Sequence, residues 1–195
     1  MGLRILVIDR DDERALALEG ALHDAGYRVV GRVASGDDAV KRVREVAPDL
    51  IIVDVESPDR DTIESMRAVL QDQPRPVVMF VDRDDGTLAE EAIRAGVSSY
   101  IVDGLKTRQV KPIIQVAVAQ FQRYQALREE LEQARNDLKN RKLIERAKGI
   151  LMEQRGLGEA EAYRALRRLA MEQNKRLAEI AESLVSVADL LKASR

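Results

Sequence analysis

Five short apolar runs recur at even spacing in the first half of the chain: Ile5 to Ile8, Val29 to Val33, Leu50 to Val53, Val77 to Val81 and Tyr100 to Val102. Between them apolar residues return at helical period, as in Leu16, Leu18 and Leu22, then Ala39, Val40, Val43 and Val46, then Ile63, Met66, Val69 and Leu70. Unbroken β-branched runs separated by about 10 to 15 residues of helical pattern predict parallel strands buried on both faces, because each crossover lays a helix against the sheet. Turn chemistry agrees. Gly26 suits the left-handed position after a helix, Ser35-Gly36 opens the next, and Pro48-Asp49 and Pro74-Arg75-Pro76 precede two strands. The predicted class is α/β, a (βα)5 doubly wound parallel sheet. Functional groups of such sheets gather beyond the carboxyl ends of the strands. Here those ends place Asp9, Arg10 and Asp11 after the first strand, Asp54 at the third, Val81 at the fourth and Asp103 after the fifth.

From Val110 the pattern becomes helical without a break as far as Arg155, 46 residues, or roughly 69 Å at 1.5 Å per residue. Apolar residues alternate by three and four. Val110, Ala117, Tyr124, Leu131 and Leu138 occupy one seam site, and Ile113, Gln120, Leu127 and Ala134 the other. That spacing predicts a coiled coil and hence a homodimer. In a parallel pair Glu130 faces Arg135 and Asp137 faces Lys142, whereas Arg123 meets Arg128 unfavourably. Exposed pairs of this kind set register more than affinity.

Gln154-Arg155-Gly156-Leu157-Gly158 stops this helix and starts another, whose apolar face is Ala162, Tyr163, Leu166, Leu169 and Ala170. Asn174 reads as a second cap, followed by a helix lined by Leu177, Ile180, Ala181, Leu184 and Val187. The expected organisation is an α/β domain over 1–120, a linker helix over 121–140 and a helical unit over 138–195.

Charge divides the chain at the same place. Residues 1–123 carry 17 Lys and Arg against 22 Asp and Glu, and residues 124–195 carry 15 against 12, so the net charge moves from minus five to plus three. The basic half is the expected nucleic-acid end. Aromatic residues are only 3% with no Trp, so contacts to nucleic acid must be mostly Arg and Lys rather than a stacking platform. The absence of Cys and the single His23 exclude disulfides, thiol chemistry and the usual zinc ligand sets, and no metal or cofactor is expected. No run approaches the roughly 20 apolar residues of a membrane span, and the chain opens on a strand rather than a leader, so a cytoplasmic, non-enzymatic protein is expected.

Residues 2–120 resemble the receiver domain of two-component systems. Asp54 in Ile51-Ile52-Val53-Asp54-Val55-Glu56-Ser57-Pro58 stands at the family's phosphoacceptor position. The resemblance implies a carboxylate cluster that binds Mg²⁺, a hard cation that takes oxygen ligands and offsets phosphoryl charge. Three of the five family positions depart from the pattern: Arg10 follows Asp9 where a second acid is usual, Val81 replaces a hydroxyl residue, and Asp103 followed by Gly104 replaces the lysine. Acids without that lysine repel one another unless a cation enters. Arg10 is the expected cation, pairing with Asp54 or Asp103.

A second resemblance covers residues 138–190. Arg141-Lys142-Leu143-Ile144-Glu145-Arg146-Ala147-Lys148-Gly149-Ile150-Leu151-Met152, followed by Glu161-Ala162-Tyr163-Arg164-Ala165-Leu166-Arg167-Arg168-Leu169-Ala170-Met171, is similar to the ANTAR domain of transcription antiterminators. With an N-terminal receiver, the layout most resembles nitrate-assimilation antiterminators of the NasT type. That resemblance implies binding to paired stem-loops in leader mRNA, and control by a partner nitrate sensor that sequesters the protein. Arg141, Lys142, Arg146, Lys148, Gly149, Tyr163 and Arg167 are the expected RNA-contacting residues: cations for the backbone, glycine for close approach, tyrosine for a stack. The alternative is a phosphorylation-controlled regulator with Asp54 as acceptor. A DNA-binding helix-turn-helix around Arg164 to Arg168 and a coiled-coil adaptor are further rivals.

Overall fold

The apolar runs sort by parity. In the computed structural model, which describes residues 2–34, 36–83, 88–102 and 109–193, the strands are β1 (Arg4–Asp9), β2 (Arg28–Val33), β3 (Leu50–Val55), β4 (Val77–Val81) and β5 (Ser99–Val102). They form one parallel sheet in the order β2-β1-β3-β4-β5. Helices α1 (Asp12–Asp24), α2 (Gly36–Val46), α3 (Arg60–Asp72), α4 (Leu88–Ala95) and α5 (Val110–Arg155) connect or follow the strands. Because successive strand residues face opposite ways, Ile5, Val7, Leu50, Ile52, Val78 and Phe80 pack with Leu18, Leu22, Val110 and Ile114 of α1 and α5. Leu6, Ile8, Ile51, Val53, Met79 and Val81 pack with Val43, Ile63, Met66 and Ala92 of α2 to α4. Helices therefore cover both faces, and the predicted (βα)5 flavodoxin-like class is the one observed.

The turns follow their chemistry. Gly26 has φ 86°, its amide donates to the His23 carbonyl at 2.9 Å and the Tyr27 amide to Leu22 at 2.9 Å, closing α1. Ala47 also lies in the left-handed region, at φ 41°. This unfavourable geometry for a residue with a Cβ is held by Arg4, whose guanidinium donates to the Val46 and Ala47 carbonyls at 2.5 and 3.1 Å while its amide donates to Asp49 at 2.8 Å.

The chain divides into two compact units, Met1–Gln125 and Ala126–Arg195. In the second, α5 continues to Arg155 and is followed by α6 (Glu159–Glu172) and α7 (Leu177–Ala193). Ala147, Ile150, Leu166, Ala170, Ile180, Ala181, Val185 and Ala188 make its core. Gly156 turns the chain at φ 66°, and the Gly158 amide that opens α6 donates to Glu161 Oε2 at 3.0 Å.

Several sequence expectations need correction. Leu16 is 64% exposed, because Ala15, Leu18, Ala21 and Leu22 already fill the α1 face toward the sheet. Val110 and Ala117, assigned to a coil seam, are fully buried against the sheet with Ile114. The same three-four spacing serves either partner, and the sheet takes the first turns of α5. On α7 Val187 is exposed and Val185 and Ala188 are buried instead. Asn174, at φ 51°, is the cap expected there and closes the C-terminus of α6, with the Lys175 amide donating to Ala170 at 3.0 Å. The start of α7 is capped by Glu179, which accepts from the Arg176 amide at 3.1 Å.

Candidate functional sites in the acid pocket and the basic helices

Asp9 and Asp54 are register partners on β1 and β3, so their side chains leave the same face of the sheet side by side. Both are buried, Asp54 to 3% exposure. The cation that meets them is Arg14, not Arg10. Arg14 Nη2 lies 3.3 Å from Asp9 Oδ1, and its Nη1 lies 2.9 Å from Asp82 Oδ2, just past β4. Arg10 lies past the end of β1, where its charge reaches Asp59, whereas the first turn of α1 brings Arg14 onto Asp9. Arg10 lines the cleft of about 700 Å³ with Asp11, Asp54 and Asp59. Asp59, whose carboxyl is held below its usual range first by the Thr62 hydroxyl and amide, is lowered further by the Arg10 charge.

Asp11 is occupied as a helix cap. Its Oδ1 accepts from the Glu13 and Arg14 amides at 2.9 and 3.1 Å, and these bonds, Arg14's first, hold its pKa down. Asp54 has no such hydrogen bond among the described residues. Burial first, then the charge of Asp9, pushes its pKa up to about 6, with Arg14 pulling the other way. Asp9 Oδ2 is buried with no hydrogen-bond partner among the described residues. Val81 belongs to the core beneath α2 to α4 and is fully buried, so no hydroxyl-like group stands at that position. Asp103 lies outside the described residues.

Receivers imply Mg²⁺, which requires several oxygens converging on one point at about 2.0–2.1 Å. The described residues do not fit that requirement. Asp11 is spent on the α1 cap, Asp9 Oδ1 is held by Arg14 and by the Asp11 amide at 2.8 Å, and no trio of acids or histidine among the described residues converges. What the pocket supplies is a guanidinium against two acids, with the buried Asp54 carboxyl biased toward its protonated form. Acetyl phosphate or BeF₃⁻ offered with Mg²⁺ at low millimolar concentration is expected to leave the amide shifts around Asp54 in place. Saturable shifts there would mean that the pocket accepts a phosphoryl group despite Arg14.

The basic helices divide differently from the sequence expectation. Lys148 is only 7% exposed, and its Nζ donates to Glu145 at 2.9 and 3.0 Å and to Glu159 at 2.7 Å. It fastens the end of α5 to the start of α6. The bond from Glu159 first, then that from Glu145, raises its pKa, and Glu159 is lowered in return. The stabilisation linked to Glu159 is present above that carboxyl's ordinary pKa and is lost as pH falls through its lowered value. Sequence did carry the signal, in an acid three residues before Lys148 and another opening the next helix. Arg146 pairs with Asp189 of α7 at 2.6 Å. Arg141 and Arg146, five residues apart, project about 140° apart around the helix and cannot serve one face. Arg141 and Lys142 are exposed, without an acidic partner among the described residues. Gly149 is exposed and a Cβ built there would meet nothing within 4 Å, so nothing in the chain itself requires glycine at that helical position. Tyr163 is 43% exposed on the flank of α6, where Arg167 is also exposed.

Past the receiver core, α5 carries Tyr124, Leu127, Leu131 and Leu138, each at least half exposed and spaced by threes, fours and sevens. Among the described residues no helix is long and apolar enough to cross a membrane.

Comparison with known proteins agrees with this division. Residues 5–115 match the response regulator receiver domain and residues 132–185 match the ANTAR domain. The transcriptional regulatory protein PdtaR of Mycobacterium tuberculosis is 31% identical over 92% of this chain and 87% of its own length. A nitrate regulatory protein of Klebsiella oxytoca is 36% identical over 47% of this chain but only 23% of its own. A CheY-like receiver from Methanospirillum hungatei superposes with a TM-score of 0.56 at 18% identity, over 64% of this chain and 99% of that one, and shares the fold.

Proposed function

This chain belongs to the ANTAR-domain response regulators, non-enzymatic regulators that join a receiver to an RNA-binding domain, and from that membership we propose that it is a transcription antiterminator acting on leader mRNA. It binds paired stem-loops in a nascent transcript and so keeps an intrinsic terminator from forming. The genes it controls serve nitrate or nitrite assimilation, in line with the similarity to a nitrate regulatory protein. The signal reaches the receiver as contact with a partner sensor protein that sequesters the chain and releases it in the cytoplasm.

The observation that carries this reading is the state of the acid pocket: Arg14 already holds Asp9 and Asp82, so the receiver has little use for a metal ion or a phosphoryl group as its signal. A protein partner needs neither. The free stripe Tyr124, Leu127, Leu131 and Leu138 supports pairing of two chains through α5. Two linked RNA-binding units then grip two linked loops, and the second contact benefits from effective concentration. The open side of Gly149 leaves room for a closely approaching backbone.

The test is a gel shift of the full chain with a two-stem-loop RNA enriched from a library of randomised loops, set against duplex DNA of equal length. The chain is expected to retain the RNA and not the DNA, with affinity falling steeply as salt rises. Leu131→Lys is expected to reduce the chain to a monomer in sedimentation and to lose the advantage of two loops over one. Failure to enrich any RNA, or equal retention of the duplex, rejects the proposal. Addition of a partner sensor of the nitrate-sensing type is expected to abolish the shift until its effector is supplied.

A further inference from the structure

Charge pairing splits the cations of the second unit into two sets. On α5, Lys139 pairs with Glu182 at 3.5 Å, Arg146 with Asp189 at 2.6 Å, and Lys148 with Glu145 and Glu159 at 2.9 and 2.7 Å. Within that run Lys139, Arg146 and Lys148 are thus neutralised by the fold, and Arg141 and Lys142 are not. On α6 the opposite holds. Ala162, Leu166 and Ala170 are buried and fix the helix's orientation. At about 100° per residue, Arg164, Arg168 and the 73% exposed Met171 fall on the far side, with Arg167 beside them toward Tyr163. All three arginines are exposed and have no acidic partner among the described residues. Arg164 Nε donates only to the Ala160 carbonyl of its own helix at 3.2 Å. Glu161, on the same helix, is turned to the Gly158 amide instead.

Three guanidinium groups at i, i+3 and i+4 stand about 5–6 Å apart at their Cβ atoms, and like charges at that spacing weaken a helix. Arg135, Arg141, Lys142, Arg155, Lys175 and Arg176 are also exposed without an acidic partner among the described residues, but on α6 three such guanidinium groups gather within five residues. We infer that Arg164, Arg167 and Arg168 of α6, rather than the Arg146 and Lys148 run of α5, form the grip on the RNA phosphates. The planar fork of arginine suits phosphate oxygens, and Tyr163 on the adjoining flank offers a face on which a loop base stacks. Arg141 and Lys142 remain outlying contacts. This inference rests on the RNA-binding reading above and names the surface that performs it.

The experiment uses the full chain and the enriched two-stem-loop RNA, with Kd measured between low and physiological salt. Substituting all three residues, R164Q with R167Q and R168Q, is expected to weaken binding at least on the order of 100-fold and to make the slope of log K against log salt shallower by about 2 for each chain bound, about 4 for the pair, as loss of three contacts per chain to single-stranded RNA requires. The lysine triple, R164K with R167K and R168K, is expected to keep most of the slope. Lys148→Met is expected to leave the slope unchanged while lowering the melting temperature of this unit. Circular dichroism of the glutamine triple checks that α6 is intact. An unchanged slope in a folded glutamine triple, especially with the slope lost in R141Q/K142Q, overturns the inference while the RNA-binding reading stands. A duplex DNA that competes equally at every salt concentration also overturns it, by making the face a general polyanion site. If the wild-type chain enriches no RNA, both readings fall together.

Discussion

Arg14→Met is expected to destabilise the receiver unit by roughly 2 to 3 kcal/mol, below the 3 to 5 typical of breaking a fully buried ion pair because the guanidinium keeps some water. The loss arises on the acid side. Asp9 and Asp54 lie side by side on neighbouring strands, and Asp82 closes the end of β4. Arg14 is the cation that spans them, and methionine retains the stem's bulk while removing the charge. Asp54, already at about 6 with Arg14's help, moves higher still. Hydrogen exchange of the β3 amides, which reports the opening of this sheet alone, measures the change. A loss under about 0.5 kcal/mol would mean that the guanidinium contributes no net stability and that the pocket is neutralised some other way.

The second large effect has the opposite sign. Asp54→Asn is expected to stabilise the receiver by roughly 2 to 3 kcal/mol at pH 7, since each pKa unit is worth about 1.4 kcal/mol. The unfolded carboxyl titrates near 3.8 and the folded one near 6. Between those values the folded chain holds the extra proton, so wild-type stability falls as pH rises through this window and remains lower above it. Below the unfolded value both states are protonated and the variant has no advantage. The asparagine variant therefore shows a flatter profile from pH 4 to 6, with curves that meet in acid and separate at neutrality. Parallel curves, or a variant less stable at pH 7, would contradict a raised Asp54. A regulator that used Asp54 as a working acceptor would retain a site costly to its fold for that purpose. One signalled by protein contact keeps it as a remnant of the receiver architecture.

The fold was legible in the sequence because strands buried on both faces must be apolar throughout, and the helices between them must repeat near 3.6 residues. These two periods locate β1 to β5 and the helices other than α4, for which no helical positions were read. Acids at the strand ends are equally legible, since a parallel sheet brings all its carboxyl ends to one edge. Which cation answers them is not. Arg10 and Arg14 are equally available to a reader of the sequence, and only the packing of α1 against the strand ends brings Arg14 onto Asp9 and Asp82. Likewise, Val110 and Ala117 suit a coil seam or a sheet face equally well, and the choice was made by the sheet's exposed apolar surface.

The same holds for the basic helices. By itself the sequence determined that positive charge concentrates after residue 124, on helices of a recognisable RNA-binding pattern. Only the tertiary structure decided which of those charges are spent inside the fold. Lys148 and Arg146 meet acids from elements 11 and 43 residues away, whereas Arg164, Arg167 and Arg168 face outward without one among the described residues. Periodicity specifies the face of a helix, because it depends on near neighbours. Charge pairing between helices depends on residues that become neighbours only after the chain has packed.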